Sequence, residues 1–207
     1  MRFSVIVPAH NEEAIIADAM DSIRRQTFHD LEVIVVADRC SDGTCDVVRS
    51  RGVEPLEVDV GHPGLARNAG MDRAVGEFLL FLDADDRYVD DQALGRLDAA
   101  LTAENDPDVL HFGFLWGRQL TSPVAWHGAH YGMVWARAWR RSFVADTRFP
   151  ASRFAEDLDF CSLVYARSPR HATFPAPLVA YEYPRPGSLT WDWFRTTRTE
   201  QARARRG

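Results

Sequence analysis

The chain has 207 residues, 46% of them hydrophobic, enough to bury a full core as one domain. Its 24 basic and 30 acidic residues leave a formal charge of −6, which excludes a bulk cationic field for nucleic acid or an acidic membrane. There is no run of about eighteen apolar residues and no signal-peptide pattern after Met1-Arg2. The three cysteines lack metal-ligand spacing, so a cytoplasmic, reducing setting is expected.

Phe3-Ser4-Val5-Ile6-Val7 reads as a strand closed by Pro8. Asn11 reads as an N-cap, with Glu12 and Glu13 favourable in the first turn of a helix to about Gln26. Leu31 to Val36 is a second strand. Asp42-Gly43 opens a helix to about Arg51, and Val53 to Val58 is a weaker third strand. Gly64 to Val75 reads as a helix and Glu77 to Leu82 as the fourth strand. These strands are continuously apolar, which predicts a parallel sheet covered on both faces. The loops Pro8–Asn11, Asp38–Gly43 and Asp83–Asp86 should then share one sheet edge.

The second half predicts a helix at Asp91–Leu101 and a strand at Val109–Leu115, followed by a Trp- and Gly-rich stretch to Gly132. A short strand near Met133–Arg137, a helix from Glu156 to about Ala166 and a strand at Leu178–Tyr183 precede an Arg-rich tail. Cys40 and Cys45 either meet near one loop or are small buried thiols.

Asp83-Ala84-Asp85-Asp86 is the most informative segment. Three carboxylates crowd a strand's carboxyl end, where open α/β sheets place ligands. Close carboxylates repel, and a divalent cation facing a diphosphate compensates them; oxygen ligands favour Mg²⁺ or Mn²⁺. The plain alternative is a solvated acidic turn.

Four segments in order, Val5–Glu12, Val36–Thr44, Ala66–Gly70 and Phe81–Asp86, are joined by a fifth at Phe154–Phe160. Together they resemble a family 2 glycosyltransferase of the GT-A fold, over roughly residues 3 to 183. The resemblance implies an inverting, metal-dependent enzyme with a nucleotide-sugar donor, most often a UDP-sugar. It implies a single α/β domain: a Rossmann-like nucleotide-sugar-binding half with a mostly parallel sheet (1–101), a more variable acceptor half (102–187) and a tail (188–207).

By the same resemblance, Pro8, Ala9, His10 and Asn11 line the nucleoside. Asp38 accepts the uracil imide N–H, unless it only caps its turn. Arg67 meets a base carbonyl or diphosphate oxygen, unless it forms an ion pair with an acid of the sheet edge. Asp85 ligates the metal. Asp83, beside Ala84, holds the ribose or the metal's waters, and Asp86 is an alternative ligand. Asp157 is the general base, the rival being ordinary helix-start acidity. Ala37 and Arg39 depart from the commonest family pattern, which leaves donor contacts in that loop open.

Trp116, Trp126, Trp135, Trp139, Tyr131, His127 and His130 fall in the acceptor half, as core or as acceptor site. Trp191, Trp193 and Phe194 lead into the tail, read as solvated with a lid or an anionic contact as the alternative. The acceptor is open: a sugar, a glycan, a lipid-linked or small molecule, or a modified nucleic-acid base. Peripheral membrane association is also open. The rival functions are a nucleotidyltransferase or phosphatase on a similar acidic edge and an inactive nucleotide-sugar-binding module. There is no GxGxxG after the first strand, no Gly-rich phosphate loop and no Gln-x-x-Arg-Trp.

Overall fold

The computed structural model describes residues 1–117, 119–121, 132–152 and 155–181. At its centre is β1 (Phe3–Ala9). Phe3, Val5 and Val7 enter one core and Ile6 the other, because strand side chains alternate. Both faces are buried, which is why the run is continuously apolar.

β2 (Leu31–Asp38) and β4 (Phe78–Phe81) flank β1, both parallel to it, and β3 (Leu56–Val58) pairs in parallel with β2. One face is covered by α1 (Ile16–Arg24) and α4 (Ala93–Ala103), through Ile16, Ala19, Met20, Ile23, Leu94, Leu97 and Leu101. The other carries α3 (Pro63–Arg73) and α6 (Glu156–Tyr165), through Ala66, Met71, Phe160, Cys161 and Val164. α2 (Thr44–Arg49) follows β2. Gly70 lets α3 lie close on the sheet: a Cβ there would sit 2.5 Å from Ile6 Cγ2 and 3.2 Å from Val36 Cγ2.

Beyond β4 the sheet is mixed. β8 (Arg137–Arg140) is antiparallel to both β4 and β6 (Val109–Trp116), and β9 (His171–Tyr181) is parallel to β6. β5 (Arg87–Tyr88) pairs antiparallel with β9, and β7 (Gln119–Thr121) with β6. The order is β3-β2-β1-β4-β8-β6-β9-β5, with β7 beside β6. Two reversals separate β4 from β6, so β6 and β9 run in the direction of β1. The carboxyl ends of β1, β2, β4, β6 and β9 therefore lie along one edge.

Several local expectations need correction. Asn11 does not cap α1: its φ is +56°, and the helix begins at Ile16 after Ile15, with no side-chain cap. The strand expected near Met133–Arg137 is instead a 3-10 turn at Val134–Ala136 followed by β8. β9 starts at His171 rather than Leu178, and β5 and α5 (Arg141–Val144) were not anticipated. All three cysteines are free. Among the described residues no helix is long and apolar enough to cross a membrane.

Candidate active site

The loops after β1 and β2 are laced together, as the shared edge predicts. His10 Nδ1 lies 2.6 Å from the Asp38 carbonyl. The Asn11 side-chain oxygen accepts the Ser41 N–H at 2.8 Å, which uses the carboxamide that a helix cap would need. Glu12 N–H donates to Thr44 Oγ1 and Glu13 N–H to Asp42, while Gly43 N–H donates back to Glu13. Cys40 Sγ contacts the Ala9 carbonyl at 3.5 Å. Pro8 is half-buried and Ala9 buried in the same strand end.

Asp38 is buried and accepts three backbone N–H groups, from Val60, Gly61 and His62, each at 2.9 Å. Gly61 has φ +62°, and that turn lets successive N–H groups converge on one carboxylate. A carboxylate has about four acceptor positions, so about one is left over. His62 then caps α3: its Nδ1 accepts the Gly64 N–H at 3.1 Å, and its Nε2 lies 2.7 Å from the Ser152 carbonyl. The sequence reading missed residues 60–62, although the Gly61-His62-Pro63-Gly64 run signals a turn into a helix. Arg39 (φ +51°) pairs with Asp59 at the surface.

Arg67 is the hub. The residue is 4% exposed, and its guanidinium sits where α3, the end of β4 and the start of α6 meet. Nη2 donates to Asp83 at 2.8 Å, while Nη1 donates to Asp157 at 3.0 Å and Glu156 at 3.2 Å. The Phe149 ring lies beneath it, 5.6 Å from the guanidinium carbon. The ion-pair alternative for Arg67 is thus the arrangement present. Burial alone would favour losing the proton, but Asp157, Asp83 and Glu156 together hold it firmly charged.

Asp157 stands in the first turn of α6, behind Ala155 at φ +65°. A left-handed alanine at a helix start is a strained backbone, held here by the packing around it. Gly132 backs the same turn closely: a Cβ there would lie 2.7 Å from the Leu158 nitrogen. Burial pushes the Asp157 carboxyl up to about 7; Arg67 opposes the shift, Asp83 and Glu156 reinforce it, and Arg137 opposes it. The side chain keeps 21% of its surface open, enough to face an incoming group.

At the end of β4, Asp83 and Asp85 are half-exposed, whereas Ala84 and Asp86 are buried. Asp86 N–H donates to the Asp83 carbonyl at 3.0 Å, closing the turn. Among the described residues no three His, Cys, Asp or Glu side chains converge as a metal-holding group. The donor set is nonetheless hard oxygen, and Mg²⁺ or Mn²⁺ needs only one or two protein carboxylates when diphosphate and water supply the rest. Asp83 and Asp85 fit that demand.

A second buried guanidinium escaped the sequence reading. Arg137 Nη1 donates to the Met133 carbonyl and contacts Cys161 Sγ, and its Nε meets His111 Nδ1. His111 Nε2 in turn meets the Tyr165 hydroxyl. Burial pushes both Cys161 and Tyr165 up to about 12, so both stay neutral. Trp139 is fully buried core and Trp135 nearly so. Trp126, His127, His130, Tyr131, Phe154 and the 188–207 tail lie outside the described residues.

The model of the family described as Glycosyl transferase family 2 matches residues 4–154. Poly(ribitol-phosphate) beta-N-acetylglucosaminyltransferase TarS of Staphylococcus aureus is 39% identical over 118 residues. That match covers 53% of this chain and 20% of TarS, so the chain spans about a fifth of that relative. Residues 1–349 of S. aureus TarS, solved with UDP, superpose with a TM-score of 0.77 at 25% identity, covering 88% of this chain and 61% of that one. Glucosyl-3-phosphoglycerate synthase of Mycobacterium tuberculosis, solved with Mn²⁺, UDP and phosphoglyceric acid, superposes with a TM-score of 0.70 at 19% identity. It covers 89% of this chain and 72% of that one, a likeness of fold.

Proposed function

Because the chain belongs to glycosyl transferase family 2 and carries its GT-A fold, we propose that it transfers a sugar from a UDP-sugar to an acceptor hydroxyl with inversion. The observation that carries this reading is the Arg67 hub. One buried guanidinium joins Asp83 of the strand-end acids to Asp157, across 16 and 90 residues of sequence. A donor-binding acid and a proton acceptor thus face the same place on the sheet edge.

Asp157 is the general base. With a carboxyl near 7, it accepts the acceptor's proton as the hydroxyl attacks the anomeric carbon. Such assistance is worth about 10²- to 10⁴-fold. A single displacement inverts the anomer and needs no protein nucleophile. Asp83 and Asp85 are the residues that hold a divalent cation. When bound, Mn²⁺ or Mg²⁺ supplies charge neutralisation at the diphosphate leaving group. His10, hydrogen-bonded to the Asp38 carbonyl, presents an exposed flat ring beside the nucleoside. The remaining acceptor position of Asp38 suits the uracil imide N–H.

The test is a turnover screen over UDP-, GDP- and ADP-sugars with Mn²⁺, read as nucleoside diphosphate release. Release of UDP from a UDP-sugar, lost in Asp157→Asn and Asp85→Ala, is the expected result. No turnover of any sugar nucleotide, or release of pyrophosphate instead, would overturn the reading.

A further inference from the structure

The acidic strand end continues directly into a group of aromatic rings. β5 follows Asp86 at once and pairs with β9, Arg87 opposite Ala180 and Tyr88 opposite Val179. One more step of that register sets Asp86 across from Tyr181. On the far side of β9, Tyr181 is the register partner of Trp116, the last residue of β6. Both residues end strands that run in the direction of β4, so both stand on the edge that carries Asp83 and Asp85.

The rings form a ladder from core to surface. Phe114 meets Trp135 edge-on at 4.8 Å, and Trp135 stacks on Tyr181 at 5.0 Å with only 3° between planes. Tyr181 then holds Trp116 edge-on at 5.5 Å. Phe114 and Trp135 are buried, whereas Trp116 is 37% exposed. Scattered exposed hydrophobic residues are ordinary. Among the other exposed large hydrophobic residues, Met1 and Val75 precede β1 and β4 and so lie at the opposite edge of the sheet, and Leu163 lies on α6. Trp116 differs from them by standing on the sheet edge that carries the acids and by the stacked and edge-on rings behind it.

Building on the glycosyltransferase reading, we propose that Trp116, braced by Tyr181, is the platform of the acceptor subsite and stacks the apolar C–H face of a pyranose ring. An indole held in place by its neighbours loses little freedom when a sugar settles on it. The hydroxyls around that sugar's rim stay turned towards solvent and the carboxylates. An acyclic polyol presents no such face. The structure thereby assigns a cyclic sugar acceptor to this chain.

The test is saturation-transfer NMR on the full chain with UDP and Mn²⁺, using methyl β-pyranosides as probes and ribitol as the acyclic control. Saturation should reach pyranoside ring protons and spare ribitol. Trp116→Ala should weaken pyranoside binding by about 2- to 10-fold, the scale of one aromatic contact. Trp116→Phe keeps a ring and should retain most of it. UDP affinity, titrated on the same samples, should not change.

Equal pyranoside signals in wild type and Trp116→Ala, or equal signals for ribitol and pyranosides, would overturn the subsite. So would a matching loss of UDP affinity, which would move the ring to the donor side. Pyranoside binding that depends on Trp116, in a protein that turns over no sugar nucleotide, would uphold the subsite and overturn the catalytic reading instead.

Discussion

Asp157→Asn should make the protein more stable at alkaline pH while it stops transfer. The folded-state value of Asp157 is raised from 3.8 to about 7 by burial, with Asp83 and Glu156 adding to it against Arg67 and Arg137. Between those two values the folded chain holds a proton that the unfolded chain has released. The stability tied to this group is therefore complete below about pH 4 and is lost as pH rises through about 7. At 1.36 kcal/mol per pH unit while the difference persists, the wild type should lose about 2.5 kcal/mol from this group between pH 5 and pH 8. Asparagine keeps the shape and carries no charge, so that slope disappears. Urea unfolding of both proteins at pH 5, 6, 7 and 8 should show the variant gaining on the wild type by about 2–3 kcal/mol across the series. The transfer rate should fall about 10²- to 10⁴-fold, with UDP affinity changed by less than about threefold, under ~0.7 kcal/mol. A stability gap that stays constant with pH would refute the raised carboxyl, and near-normal turnover in Asp157→Asn would refute the base.

Three other perturbations address separate parts of the site. Mn²⁺ or Mg²⁺ should strengthen UDP binding in calorimetric titration and Asp85→Ala should remove most of that gain, whereas equal affinity with EDTA and with Mn²⁺ would end the metal assignment. Asp38→Ala strands three N–H groups at Val60, Gly61 and His62. It should cost about 1–3 kcal/mol in denaturant unfolding and narrow the preference for UDP over ADP, and an unchanged preference would restrict Asp38 to holding its loop. Arg67→Met removes a cation shared by Asp83, Glu156 and Asp157. At pH 8 it should destabilise the fold by about 3–5 kcal/mol, less at pH 5 where Asp157 is protonated, and a cost that does not change between these pH values would contradict the hub.

Sequence alone determined the frame. The largely apolar run at Phe3–Val7 and the apolar run at Val33–Val36 suit a sheet covered on both faces, and the structure places them in β1 and β2. The gathering of the loops after β1 and β2 on one sheet edge followed from that, and the hydrogen bonds between those loops show them together. The start of α6 at Glu156 was legible from local pattern.

Three features were decided only by the tertiary structure. Asn11 carries a capping residue type, yet its side chain is spent on a neighbouring loop, because a contact across 30 residues outcompeted the local one. Asp38 accepts three N–H groups from a turn lying 22 to 24 residues further on. Arg67, Asp83 and Asp157 become one site only where α3, β4 and α6 converge. Periodicity reports which face of an element is apolar, since neighbouring residues share one backbone geometry. It carries no information on which distant partner a buried charge will meet. That choice follows from desolvation, which makes a buried guanidinium costly unless the folded chain surrounds it with carboxylates.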